Sequence, residues 1–252
     1  VSVITPYFIL PNQNEIHDHY KRIAESTNLP VLLYSNPVTC GGLKIDPDTC
    51  GRLAKIKNIV GIKDSSSDLQ TTIEIHRAVP SDFVVMQGRD TLIFSALQMG
   101  ARGAVPATCN IAPKLLVEIY EKFKKGDIEG SKAAQARLHP LRMALTLGTA
   151  PGGVKSALRE LGRSIGPCRS PVALVGADKI PKLKEALAAA DTHYSKLISK
   201  SYEVIDEASM TNNLSAKTAA IKLVMDIESK RINMLQKAGL LENKELAEEM
   251  ME

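Results

Sequence analysis

Short apolar runs recur through the first part of the chain, at VSVIT (1–5), PVLLY (30–34), NIVGIK (58–63), DFVVMQG (82–88) and RGAVPA (102–107). Each has the length and near-continuous apolar character of a strand buried on both faces. The intervening segments carry apolar residues at helical spacing, which predicts helices over Glu15 to Ser26, Asp46 to Ile56, Leu69 to Ala78 and Thr91 to Met99. Asp46 followed by Pro47 reads as a helix start, an N-cap side chain and then a residue whose φ is already helical. Strand and helix alternating every ~20–30 residues predicts parallel βαβ units, as in a barrel or a doubly wound sheet.

After Pro113 the pattern is helical only. LLVEIYEKFKKG predicts one amphipathic helix ending at Gly126, DIEGSKAAQARLHPLRMALTL a second broken near Pro140, and GGVKSALRELG a third ending at Gly162. A proline-punctuated loop then leads to KLKEALAAA. From Asp191 the chain turns lysine- and glutamate-rich, so a boundary is placed near Ala190, separating residues 1–190 from a helical extension, 191–252. Within that extension a long helix is expected from Ser215 to Ala238, with Ala220, Leu223, Ile227 and Met234 on one stripe. That stripe suits either helix pairing with a partner or folding back onto the rest of the chain.

Composition narrows the function classes. A chain of 252 residues with 44% hydrophobic residues has enough apolar material for a real core. Its net charge of +4 comes from interspersed charges with no basic block, and aromatics make up only 4%, so nucleic acid is not the expected partner. No apolar run approaches the roughly 20 residues of a membrane span. Cys40, Cys50, Cys109 and Cys168 lack CxxC spacing and no apolar leader precedes them, which fits a reducing cytoplasm. His17 and His19 in HDHY are two apart, pointing to different sides of a helix, and read as surface residues. No GxGxxG or GxxxxGK[ST] phosphate cradle is present, so a nucleotide cofactor is not expected and neither is a metal.

In parallel α/β folds ligands bind at the carboxyl ends of the strands. Those ends carry Thr5-Pro6-Tyr7, Tyr34-Ser35-Asn36, Lys63-Asp64-Ser65, Gly88-Arg89-Asp90 and Ala107-Thr108. If consecutive strands are neighbours, Tyr34 and Lys63 lie on strands about 4.8 Å apart, bringing a phenol and an amine to one small ligand. An amine rooted in an apolar interior loses hydration of its charged form, which frees neutral amine to attack a ketone and form a Schiff base. The phenol then has an acid/base role in carbinolamine collapse. The bland alternative is that Lys63 leaves its strand for solvent, pairing with Asp64 or Asp68.

At TPYF, YSNP and GIKDSSSD the sequence resembles the pyruvate-dependent class I aldolase family of dihydrodipicolinate synthase and N-acetylneuraminate lyase. GRDTL, GARGAVPATCN and the segment from PGGVKSALRELG to GPCRSP extend the likeness across residues 1–190. The resemblance implies a (β/α)₈ barrel followed by helices, a Schiff base on Lys63 and proton relay through Tyr34. It also implies substrate contacts from Tyr7, the Thr39 position, Gly88, Asp90 and the main-chain carbonyl of Val105, a 2-oxo acid substrate, no cofactor, and homo-oligomeric association. Where dihydrodipicolinate synthase has an arginine for a carboxylate of its second substrate, this chain has Thr39. Phe8 likewise stands where that enzyme has a tyrosine. These departures, with GIKD, GRDTL and GPCRSP, make the likeness greatest to 2-keto-3-deoxy-sugar-acid or 4-hydroxy-2-oxoglutarate aldolases, with dihydrodipicolinate synthase itself and a non-catalytic scaffold as alternatives. The family's G-T-T-G-E loop, which binds the pyruvate carboxylate, has no counterpart here, so a partial barrel of about five βα units lacking its first three is expected. Weak or no Schiff-base trapping is therefore expected of this chain alone.

Overall fold

The structure, a computed structural model, describes residues 1–163 and 165–190 together with helical positions 218, 219, 221, 222, 225 and 229. These divide into two compact units, one formed by Val1–Cys109 with Leu116–His139, the other by Asn110–Leu115 with the chain from Pro140 onward. The extension expected over 191–252, with its long helix, lies outside the described residues apart from those positions.

In the first unit every apolar run becomes a strand: β1 (Ser2–Ile4), β2 (Val31–Ser35), β3 (Ile59–Asp64), β4 (Val84–Gln87) and β5 (Gly103–Ala104). They form one five-stranded sheet in the order β1-β2-β3-β4-β5, parallel throughout. Between them lie α1 (Gln13–Glu25), α2 (Pro47–Leu53), α3 (Leu69–Ala78) and α4 (Ile93–Gln98). The expected burial of both sheet faces holds for one face only. Val31, Leu33, Ile62 and Val85 are wholly buried in one core with Ile16 and Tyr20 of α1, Leu53 of α2 and Ile75 of α3. On the opposite face Leu32, Tyr34, Lys63, Val84 and Met86 are half-buried and Ile4 is exposed. Three amphipathic helices can cover only one side of a sheet, and alternation along each strand sends every second residue to the other.

Local signals explain the helix starts. Asn12 and Glu15 form a reciprocal capping box at α1, and the Asp68 side chain accepts from the Gln70 N–H at α3. Asp46 does occupy the N-cap of α2 with Pro47 next, but its side chain makes no capping bond; its N–H instead donates to Gln13 Oε1 at 3.1 Å, tying α2 to the start of α1. Asn58 Nδ2 donates to the carbonyls of Ala24 (2.8 Å) and Thr27 (2.9 Å), fixing the end of α1 against the start of β3.

α5 (Pro113–Lys124) and α6 (Ile128–Ala144) follow, then α7 (Gly152–Glu160) and α8 (Ile180–Ala189). The break expected near Pro140 does not occur, because α6 runs through it. Proline removes one backbone donor there, and the fully buried Leu138 and Leu141 hold the helix on either side. In the second unit Gly153 has to be glycine, since a Cβ would sit 2.1 Å from the Leu145 carbonyl oxygen.

All four cysteines are free, with Cys40 and Cys50 buried and Cys109 exposed. Burial, reinforced by the Asp64 carboxylate, pushes the Cys50 thiol up to about 12. Alkylation of the native chain at pH 8 is therefore expected to label Cys109 rapidly and to spare Cys40 and Cys50 until denaturant is added. Early labelling of Cys50, read by mass spectrometry, would contradict the buried packing of α2.

Candidate active site

The register of β2 on β3 sets Tyr34 opposite Lys63, and that of β3 on β4 sets Lys63 opposite Met86. Parallel partners in register project to the same face, so Ile4, Tyr34, Lys63 and Met86 form a row across the open side near the carboxyl ends of their strands. The Lys63 ammonium nitrogen lies 4.2 Å from the Tyr34 ring centroid. The expected pair is thus brought together, though through the ring face rather than the hydroxyl. The hydroxyl is engaged separately, since Asn36 Nδ2 donates to Tyr34 Oη at 3.0 Å. Asn36 Oδ1 is buried and finds no partner among the described residues.

The opposite face carries a second row one residue further along. Ser35, Asp64 and Gln87 pair in register and are almost fully buried. Each holds the loop that leaves its own rim. Ser35 Oγ accepts from the Ile45 N–H (3.2 Å), and Asp64 accepts from the Ser66 N–H (2.9 Å), Ser66 Oγ (3.1 Å) and Thr72 Oγ1 (2.6 Å). Gln87 Oε1 accepts from the Arg89 N–H at 2.8 Å. A buried acceptor that satisfies a backbone donor fixes the loop conformation, because breaking the bond strands a polar group out of reach of water.

The other predicted positions divide. The Gly88 N–H donates to the Asp64 carbonyl at 2.7 Å, and a Cβ there would fall 1.9 Å from Ser65 Oγ, so the rim loops after β3 and β4 meet only because this residue is glycine. Asp90, for which the resemblance implies a substrate contact, is 2% exposed, its Oδ1 accepting from the Thr108 N–H (2.8 Å) and Thr108 Oγ1 (2.6 Å). It ties the loop after β4 to that after β5. The Val105 N–H donates to the Gln87 carbonyl at 2.8 Å, which extends the β4–β5 pairing to the rim. Thr39 is exposed, with Oγ1 donating to the Asn36 carbonyl at 3.3 Å. Tyr7 and Phe8 are 72% and 97% exposed, and Phe8 has a φ of 75°, a left-handed conformation that costs a side-chain-bearing residue energy. Sequence reading puts Asn36 and Arg89 among the polar residues of the strand ends but gives neither a specific role, although both lie within the quoted motifs YSNP and GRDTL.

Residues 1–190 match the model of the dihydrodipicolinate synthetase family. The chain belongs to that family. A 4-hydroxy-tetrahydrodipicolinate synthase of Archaeoglobus fulgidus is 36% identical over 189 residues, covering 75% of this chain and 65% of the relative. The synthase of Moorella thermoacetica is 37% identical over 192 residues, covering 76% and 65%. Among solved structures, the synthase of Methylacidiphilum fumariolicum SolV superposes with a TM-score of 0.74 at 32% identity, over 77% of this chain and 65% of that one. The chain therefore spans about two thirds of the length of these relatives. Its α/β fold with a parallel sheet is that of the family's barrel enzymes. Among the described residues no helix is long and apolar enough to cross a membrane.

Proposed function

We propose that Lys63 is a Schiff-base nucleophile for pyruvate, in a carbon–carbon lyase of the class I aldolase type whose barrel this chain supplies in part, about five of eight βα units. The observation that carries the reading is the Lys63–Tyr34 pair, in contact at 4.2 Å on neighbouring strand ends inside the family-matched segment. In this chemistry Nζ attacks the pyruvate C2 carbonyl, the carbinolamine loses water to give an imine, and loss of a C3 proton gives an enamine that attacks an aldehyde. Tyr34 Oη is the acid/base group that moves protons during carbinolamine collapse in this reading. Asn36, donating to that oxygen, leaves the phenolic hydrogen free to point at the reacting centre.

Sequence features alone favour a sugar-acid or 4-hydroxy-2-oxoglutarate aldolase. The relatives support dihydrodipicolinate synthesis more strongly, since those compared above are named as 4-hydroxy-tetrahydrodipicolinate synthases. Opening that product's ring imine with water and then subtracting pyruvate leaves an amino-acid aldehyde, which becomes the first acceptor to test. The aldolase reading keeps one specific support, the absence of an arginine at Thr39 and of a hydroxyl at Phe8. A cytoplasmic location and a homo-oligomer belong to the same proposal, the latter supported by the exposed apolar run Tyr7, Phe8, Ile9 and Leu10.

Borohydride reduction in the presence of pyruvate tests the class, with a reduced pyruvyl adduct expected on the Lys63 peptide. Its absence at saturating pyruvate would remove the catalytic reading and leave the scaffold alternative. Product analysis with the amino-acid aldehyde, set against cleavage of 4-hydroxy-2-oxoglutarate, separates the two substrate readings. In the same assays Asn36→Leu is expected to lower turnover about tenfold with little change in half-saturating pyruvate, because it frees Tyr34 Oη without touching Lys63. An unchanged turnover would remove Asn36 from the mechanism.

A further inference from the structure

We propose that the guanidinium of Arg89 binds a carboxylate of the substrate at the rim of this site, an inference that rests on the Schiff-base reading of Lys63. Arg89 follows Gly88 at the end of β4, the strand whose Met86 pairs with Lys63. Two bonds fix it in place. Its N–H donates to Gln87 Oε1 (2.8 Å), and its side-chain Nε donates to the carbonyl of Ser65 (3.0 Å), two residues beyond Lys63. The tether occupies Nε and leaves the two Nη groups, the paired donors of the fork, without a hydrogen-bond partner among the described residues.

An arginine remains charged at any working pH, and a half-buried charge without a counterion has lost hydration for nothing in return. Among the described residues no carboxylate pairs with it. Asp90, next to it in the chain, accepts from Thr108, and Asp64, next to the Ser65 that tethers it, accepts from Ser66 and Thr72. A planar fork with two free Nη groups matches a carboxylate in bidentate geometry, and a lysine would not. Both reactants of the proposed chemistry carry carboxylates: pyruvate itself and the amino-acid aldehyde. Thr39, exposed and bonded only to its own turn, offers no cation for either. Arg89 therefore supplies to this rim a positive charge that Thr39 does not.

The test compares wild type with Arg89→Gln and Arg89→Lys. If Arg89 holds the pyruvate carboxylate, the pyruvate concentration for half-maximal borohydride trapping rises roughly ten- to a hundredfold in both variants, while trapping of methyl pyruvate is unmoved. If it holds the acceptor's carboxylate, pyruvate trapping is unchanged and the half-saturating amino-acid aldehyde rises by that factor, with a neutral aldehyde unaffected. Equal behaviour of all three proteins toward all four compounds overturns the proposal. Should wild type fail to trap pyruvate at Lys63, the Schiff-base reading fails on its own. Arg89 is then read directly by following its side-chain Nε–H resonance, assigned by its loss in Arg89→Gln, during titration with pyruvate and with succinate. A saturable shift supports carboxylate binding, and an unmoved resonance with both acids rules it out.

Discussion

Replacing Lys63 by methionine is expected to abolish pyruvate-dependent borohydride incorporation and to lower any carbon–carbon bond turnover on the order of 10⁴-fold or more, the scale on which loss of a covalent nucleophile is felt. Methionine keeps the unbranched stem against Tyr34 and Met86, so the sheet is expected to tolerate it, with an unchanged denaturant midpoint. Substitution by arginine makes the sharper comparison. Lys63→Arg preserves the positive charge over the Tyr34 ring, where Nζ now lies 4.2 Å from the centroid, yet a guanidinium cannot form the imine. If charge alone explained Lys63, as in the solvent-seeking alternative, the arginine variant would behave as wild type. Retained adduct formation in either variant, mapped to another lysine, would move the nucleophile elsewhere and break the link between the Tyr34–Lys63 register and chemistry.

Sequence reading locates that register because its two signals are local. Apolar runs ending in Tyr34 and in Lys63 each report a strand, and parallel neighbours in chain order require their ends to meet. What it misses depends on distance through space. Nothing in VLLYS says that only one of its faces is covered, since that is decided by how many helices pack on the sheet. The family likeness implies a substrate contact for Asp90, whereas its bonds to Thr108, eighteen positions on, show only once the two loops are placed together. Arg89 and Asn36 are legible only as polar strand-end residues, for the converse reason. Their significance is in what their side chains leave unbonded, and an unspent donor or acceptor becomes visible only when every neighbour is placed. Pro140 misleads through a rule about hydrogen bonding that buried leucines on both sides of it outweigh.

The buried polar row beneath the rim carries the second large expectation. Asp64→Ala is expected to destabilise the chain by about 3 kcal/mol, because it strands several donors at once. Thr72 Oγ1 is wholly buried and donates to Asp64 Oδ2 at 2.6 Å, so its loss is not repaired by water. The Ser66 N–H and hydroxyl lose the same carboxylate, and with them the turn that leads into the Asp68 cap of α3. Asp64→Asn, which keeps one acceptor oxygen in the same volume, is expected to cost less than half as much. The mechanism predicts more than a shifted urea midpoint. Thr72→Val removes the donor as well as its demand for a partner, so the Asp64→Ala, Thr72→Val double variant is expected to be less destabilised than the sum of the singles. Additive losses would mean that Asp64 acts through bulk charge rather than through these bonds. Because Asp64 is the residue after Lys63 and its carbonyl receives the Gly88 N–H, the same substitution loosens the β3 and β4 rims together. Trapping at Lys63 should then weaken in Asp64→Ala even at temperatures where the chain stays folded, and much less in Thr72→Val. A fully folded Asp64→Ala chain that trapped pyruvate like wild type would confine the polar row to stability and detach it from the geometry of the amine.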